Sequence, residues 1–348
     1  MRVGINGFGR IGKAITRINM EKKLFDLVMI NDINPDARNL AYQLKYDSTY
    51  GTLPNDIKGN DRHIKIDDDN IFVYHKKDIS AVPWLLGKVD LVIDCSGVHE
   101  NVLNAHKIKG RFIKHVIVTH SPNKELVDKH IIMGVNEKTI NKNDFLISSS
   151  ICDANAVAPT LKALDRFGIN HGFVTTLHPY LNYQNLLDGQ SVSFGYPGTT
   201  YGRYELGRAS INNLIPKPTS CISAMEKVLP EYKNKFLSMS YRVPTNVVSS
   251  ADLSIKLDKN PSRRDILQAI RNRIRYQKWD ILKVNEEPLT SVDFVKDSYS
   301  AVIDKRWIMT NSDGYTKIVL WYDNEWGYSS RVVDLVSYLE ELNSEKIR

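Results

Sequence analysis

The chain has 348 residues, 42% hydrophobic and 25% charged, enough apolar material for two cores and too much for a disordered chain. Its net charge of +7 is dispersed, with no long basic run, so anionic metabolites are the expected partners and nucleic acid is not. No apolar run approaches the roughly eighteen residues of a membrane helix, so no membrane partner is expected.

The opening Arg2-Val3-Gly4-Ile5 reads as a strand and not as a leader peptide. The cysteines Cys95, Cys152 and Cys221 are too sparse and too widely spaced for a disulfide framework or a zinc site. A reducing, cytoplasmic setting and no metal follow as expectations.

The first strand runs straight into Gly7-Phe8-Gly9-Arg10-Ile11-Gly12, and Lys13 to Glu21 then has helical spacing with Ala14, Ile15 and Ile18 on one face. In such a strand–turn–helix unit Gly7 permits the turn and Gly9 admits a pyrophosphate to the backbone. Gly12 lets helix and strand pack closely, and the helix N-terminus offers its amides to phosphates. Leu27 to Asp32 is a second strand that ends in an acid twenty residues beyond Gly12. A carboxylate there accepts from the adenosine ribose and repels a 2′-phosphate, which favours NAD over NADP. Alone, Asp32 would equally suit a solvated strand end.

Val89 to Asp94 leads into Cys95-Ser96-Gly97, a small-residue turn suited to close cofactor approach, with Cys95 read as a packed side chain. His115 to Thr119 and Phe145 to Ser148 are further strands. Cys152 lies between the last of these and a helix over Asn155–Arg166, where a helix dipole would favour its thiolate. The pattern alone leaves a reactive and a buried thiol equally open. Residues 168–178, 236–257 and 290–322 read as strands of a mixed or antiparallel sheet. Ala209–Asn213, Arg264–Gln277 and Ser329–Leu342 read as helices.

The turn Asn6 to Gly12, Leu44-Lys45-Tyr46-Asp47-Ser48, Thr175-Thr176-Leu177-His178, Tyr241-Arg242-Val243-Pro244-Thr245 and Trp321-Tyr322-Asp323-Asn324-Glu325-Trp326-Gly327-Tyr328 together resemble the glyceraldehyde-3-phosphate dehydrogenase family. The resemblance covers nearly the whole chain. It implies an α/β protein: a Rossmann-type doubly wound NAD-binding domain (1–150), an α+β catalytic domain with a mixed sheet (151–325), and a C-terminal helix (326–348) packed back on the first domain. It also implies a homotetramer.

The chemistry implied is NAD-dependent oxidation of an aldehyde, glyceraldehyde 3-phosphate or a related sugar phosphate. Cys152 would attack the aldehyde carbon, and His178 would take the thiol proton and steady the oxyanion. A thioester would follow, released by phosphate or water. Arg10, Ile11, Asp32, Lys77, Thr119, Asn324 and Tyr328 fall where the family meets NAD. Thr219, Ser220, Arg242 and Arg208 fall where it meets substrate. A non-catalytic binder that keeps the fold is the alternative, against which the retained Cys152 and His178 argue.

The match breaks around the nucleophile. The family reads Ser-Cys-Thr-Thr-Asn where this chain has Ile151-Cys152-Asp153-Ala154-Asn155. Leu181 stands in place of a phosphate-binding threonine, Ser220 in place of glycine, Glu205 in place of arginine and Lys77 in place of arginine. The segment from Gly189 to Tyr204 is longer than usual. The anion sites are therefore expected to be rebuilt, which leaves glyceraldehyde 3-phosphate and a different aldehyde equally open as the preferred substrate.

Overall fold

The computed structural model describes residues 1–110, 112–191 and 203–344. Most of the long segment singled out above, 189–204, lies outside these residues.

Consecutive apolar residues in the early strands demand burial on both faces, and they receive it. Leu91 and Ile93 point into one core while Val92 points into the other. Nine strands form the first sheet in the order Lys129–His130, Leu146–Ser148, His115–Val118, Leu91–Asp94, Arg2–Asn6, Asp26–Asn31, Asp69–Tyr74, His63–Ile66 and Ile57–Gly59. The first seven pair in parallel, and the last two join as antiparallel edge strands. Strand order reverses at Arg2–Asn6, so a crevice opens at the carboxyl ends of this strand and Leu91–Asp94, where doubly wound sheets hold ligands.

The second sheet is mixed, in the order Ile215–Lys217, Phe236–Val243, Ile169–Pro179, Ser249–Leu257, Tyr315–Tyr322, Ala301–Asp304 and Leu282–Asn285, with Met309–Thr310 added on Tyr315–Tyr322. The fold class is thus the one the sequence implied.

The helix Cys152–Leu164 connects the sheets. Ala154, Ala156, Val157, Ala158, Leu161 and Leu164 are wholly buried, as a helix apolar on every side requires. It starts three residues before the sequence reading placed it, because Ile151 is extended and Asn155 caps backward, its Nδ2 donating to the Ser149 and Ile151 carbonyls at 3.0 and 2.9 Å. The C-terminal helix Trp326–Asn343 lies on the helix Arg10–Lys22, with Lys22 Nζ 3.9 Å from Asp334 and Asn343 Nδ2 2.8 Å from His115 Nε2.

Ala209–Asn213 is not a helix. Asn212 takes a left-handed conformation (φ 56°), which a helix of five residues cannot absorb.

Candidate active site

The glycine turn is built as its spacing requires. Gly7 sits at φ +90°, and a Cβ there would lie 2.6 Å from the Ser96 amide nitrogen. A Cβ on Gly12 would lie 2.4 Å from the Gly7 carbonyl oxygen. At Gly9 a Cβ would meet nothing within 4 Å, so the space above this residue is left to a ligand. The helix beginning at Arg10 has no side-chain cap, so its first amides, Arg10 and Ile11 among them, face that space.

Asp32 closes the second strand and accepts from the Phe8 amide at 2.6 Å and the Asn34 amide at 2.8 Å. Asn6, Asn31 and Asp94 link three strand ends, with Asn6 Nδ2 donating to Asp94 at 2.8 Å and Asn31 Nδ2 to Asn6 at 2.7 Å. Ser96 donates to Asp94 at 2.7 Å, and the Thr119 hydroxyl donates to the Asp94 carbonyl at 3.1 Å. Gly97 beside them is left-handed (φ +66°) with open space around it.

Arg10 differs from expectation in its side chain. Its guanidinium is held by Glu325 at 2.6–3.0 Å and by Asp47, and it lies over the Tyr50 ring. Its backbone amide, at the open helix start, faces the space above Gly9. Lys77 is exposed on the loop beyond Asp69–Tyr74.

Asn324 carries a buried Oδ1 with no partner. A buried acceptor left unpaired is costly, and the carboxamide of nicotinamide would satisfy it. The Tyr328 hydroxyl is already used. It is hydrogen-bonded to Ser149 Oγ at 2.6 Å and donates to the Ser150 carbonyl at 3.1 Å. This tyrosine therefore braces the backbone just ahead of Cys152, where Ser150 is held at φ +60°, a strained conformation for a non-glycine residue.

His178 ends the strand Ile169–Pro179 in parallel register with Arg242, and alternation points Val174, Thr176 and His178 inward toward the helix Cys152–Leu164. Its Nε2 is 2.5 Å from Asp153 Oδ1, and its Nδ1 is 3.1 Å from Ser249 Oγ. The same Asp153 oxygen accepts from the Tyr322 hydroxyl at 2.8 Å, and Cys152 Sγ lies 3.6 Å from it. Asp153 Oδ2 accepts from the Thr219 hydroxyl at 3.0 Å. Asp153 is the hub of the site: the sulfur, the imidazole, a tyrosine and a threonine all converge on one buried carboxylate.

Sequence reasoning named Asp153 only as a departure from the family's motif and missed Tyr322 and Ser249 as site residues. Register supplies the signal, since Ser249 pairs with Tyr322 at the strand ends beside His178.

The electrostatics follow from this hub. Burial acts to raise Asp153, but the charge and hydrogen bond of His178, with the Tyr322 hydroxyl, outweigh it and hold the carboxyl well below its ordinary range. Asp153 is the ionised partner and accepts from His178 Nε2, while burial, the largest influence on the imidazole, holds His178 below its usual value as well. Burial, then the adjacent Asp153 charge, pushes the Cys152 thiol well above its usual value. Burial and the neighbouring anion thus act against the helix N-terminus at this sulfur. Asp153 touches both partners, with His178 Nε2 at 2.5 Å and the Cys152 sulfur at 3.6 Å.

Two cations sit nearby. Arg242 is largely enclosed and donates to the Pro179 carbonyl at 2.8 Å, within electrostatic reach of Cys152 and Asp153. Burial, with Arg242 beside it, pushes Lys217 down to about 8. Lys217 was not foreseen. Arg208 is exposed and paired with Asp188 at 2.8 Å, so the structure commits it elsewhere. Ser220 is exposed at the start of the short helix Cys221–Glu226, with Thr219 just before it.

Sγ of Cys152, a carboxylate oxygen of Asp153 and Nε2 of His178 lie within 4.8 Å of one another. The sequence reading did not anticipate this grouping.

A switch-point crevice with a glycine turn, joined to a helix start that carries a cysteine and a mixed sheet that carries a histidine, is the build of an NAD-dependent dehydrogenase. Comparison with known proteins agrees. Residues 1–102 match the family model described as glyceraldehyde 3-phosphate dehydrogenase, NAD binding domain, and residues 151–324 match its C-terminal domain. A cytosolic glyceraldehyde-3-phosphate dehydrogenase of Chlamydomonas reinhardtii is 35% identical over 349 aligned positions, covering 100% of this chain and 99% of the relative. Glyceraldehyde-3-phosphate dehydrogenase 3 of Saccharomyces cerevisiae is 35% identical, covering 97% and 99%. A chloroplastic relative from Arabidopsis thaliana is 36% identical, covering 97% of this chain and 78% of the relative. The chain belongs to the glyceraldehyde-3-phosphate dehydrogenase family. It is an NAD-dependent oxidoreductase.

Proposed function

We propose that the chain oxidises a phosphorylated aldehyde with NAD through a covalent intermediate on Cys152. The supporting observation is the convergence of Cys152 and His178 on Asp153, beside the enclosed cations Arg242 and Lys217. Sγ adds to the aldehyde carbon while its proton passes to the Asp153–His178 pair. The Cys152 backbone amide, at the helix start, donates to the developing oxyanion. Bound in the crevice over Gly9 and Asn324, NAD supplies the hydride acceptor. Arg242 and Lys217 hold the substrate's anionic end, and a bidentate arginine suits a phosphate.

We read residues 1–150 as the cofactor domain, 151–325 as the catalytic domain and 326–348 as its return. The test is NADH formation with a panel of aldehydes. Phosphorylated members are expected to exceed their plain counterparts by at least about tenfold in kcat/KM. No NADH from any aldehyde would sink the reading. Because the donors at Ile151 and Leu181 are absent, the best aldehyde is expected to be one other than glyceraldehyde 3-phosphate.

Two predictions attach here. Asp32→Ala is expected to narrow the preference for NAD over NADP by about tenfold or more, read by calorimetry, because one carboxylate no longer opposes the 2′-phosphate. Tighter NADP binding by the unaltered protein would contradict the role of Asp32.

The second prediction concerns assembly. The outward face of the mixed sheet exposes Phe173, Leu177, Leu237 and Met239, with Phe173 and Leu237 in register. A contiguous apolar sheet face supports association with further copies of this chain, as a homotetramer. Light scattering is expected to give a multiple of the chain mass, and Leu237→Lys to reduce it. An unaltered protein that is already monomeric would refute this.

Among the described residues no helix is long and apolar enough to cross a membrane. A cytoplasmic location is proposed along with the enzyme.

A further inference from the structure

We infer that the acyl-enzyme is released by water and not by inorganic phosphate, with the Asp153–His178 pair as the base. The inference rests on the thioester reading of Cys152 given above. The thioester carbonyl would hang from Sγ, and the charged group nearest that sulfur is the Asp153 carboxylate at 3.6 Å. Any nucleophile that attacks the carbonyl must therefore approach beside an ionised acid. A phosphate dianion is repelled there. A water molecule is welcomed, because it can donate to the carboxylate.

The donors a phosphate would need are spent or missing. The Thr219 hydroxyl gives its proton to Asp153 Oδ2, the Tyr322 hydroxyl gives its own to Asp153 Oδ1, and Ile151 brings none. Arg242 and Lys217 remain for the substrate's own anionic end. Asp153 thus fills, as a fixed carboxylate, the anion position beside the nucleophile.

The step balances without a redox partner, since oxidation is complete once the thioester exists. The water oxygen bonds to the acyl carbon, and its proton passes to the Asp153–His178 pair. The carbon–sulfur bond breaks, the sulfur takes that proton back, and a carboxylic acid leaves and loses its proton to solvent.

The experiment uses the full-length protein, NAD and the best aldehyde of the panel, with inorganic phosphate varied from none to saturating. NADH turnover is expected to change by less than about twofold, and in ¹⁸O-water the product carboxylate is expected to carry one label. A phosphate requirement of tenfold or more, with an acyl phosphate as product by phosphorus NMR, would overturn the inference while leaving the thioester reading intact. Absence of NADH with every aldehyde would instead overturn both.

Two variants probe the base. Asp153→Asn keeps shape and removes charge. Because the same pair takes the thiol proton, acylation is expected to slow as well as release, with steady turnover lowered by at least tenfold and acylated Cys152 accumulating by intact mass as it forms. Asp153→Thr is expected to gain stimulation by phosphate. Steady turnover in water at the unaltered rate by a folded Asp153→Asn protein would show that the carboxylate is not the base.

Discussion

Cys152→Ser is expected to lower kcat/KM by at least about 10⁴, the scale on which removing a covalent nucleophile disables a site whose groups act together. The change is nearly isosteric at a half-buried position, so the fold and NAD affinity should persist. A serine hydroxyl in the same place is far less acidic than a thiol, and the Asp153 charge that already raises the thiol would raise it further. Neither other cysteine can substitute. Cys221 is fully buried, and Cys95 lies just past the strand Leu91–Asp94 of the first sheet, outside the cluster of Cys152, Asp153 and His178. Steady-state NADH formation by the serine variant at more than about one hundredth of the unaltered rate would contradict the assignment.

Arg242→Ala is the next largest effect. Loss of charge-assisted hydrogen bonds from an enclosed guanidinium is expected to raise KM for the phosphorylated aldehyde by about ten- to a hundredfold. A short aldehyde without phosphate should be affected much less. That contrast separates substrate binding from simple damage, because Arg242 also holds the Pro179 carbonyl next to His178. Equal losses for both substrates would mean that Arg242 supports the strand end and does not read the anion. Lys217→Met should act in the same direction with a smaller effect.

Much of this was legible in the sequence because it rests on local rules. Gly7 and Gly12 announce their turn, since any side chain would collide with Ser96 or with the Gly7 carbonyl. The apolar strands read as continuous because both faces are covered. His178 was legible through the resemblance of Thr175 to His178, and its inward direction follows from alternation along its strand.

The hub was not legible, because its members are far apart in the chain. Asp153, His178, Thr219, Ser249 and Tyr322 come from a helix start, three strands and a loop. Nothing in the pattern around Cys152 says that the next side chain will turn toward the histidine. In the sequence Asp153 is one departure from the family's motif; in the structure it is the centre of the hydrogen-bond network. The side-chain role of Arg10 was not legible either: its guanidinium joins Glu325 and Asp47, partners far from it in the chain. The supposed helix at Ala209–Asn213 followed apolar spacing over too few residues to hold a helical turn against a left-handed asparagine.

The central claim is a covalent acyl-enzyme on Cys152, formed with reduction of NAD. Rapid mixing of the protein with NAD and the best phosphorylated aldehyde, followed by acid quench and peptide mass mapping, tests it most directly. The account predicts the acyl mass on the peptide that contains Cys152, appearing together with one NADH per site and absent from Cys152→Ser. NADH formed at the full rate with Cys152 unmodified, or an acyl group carried on any other residue, would contradict it.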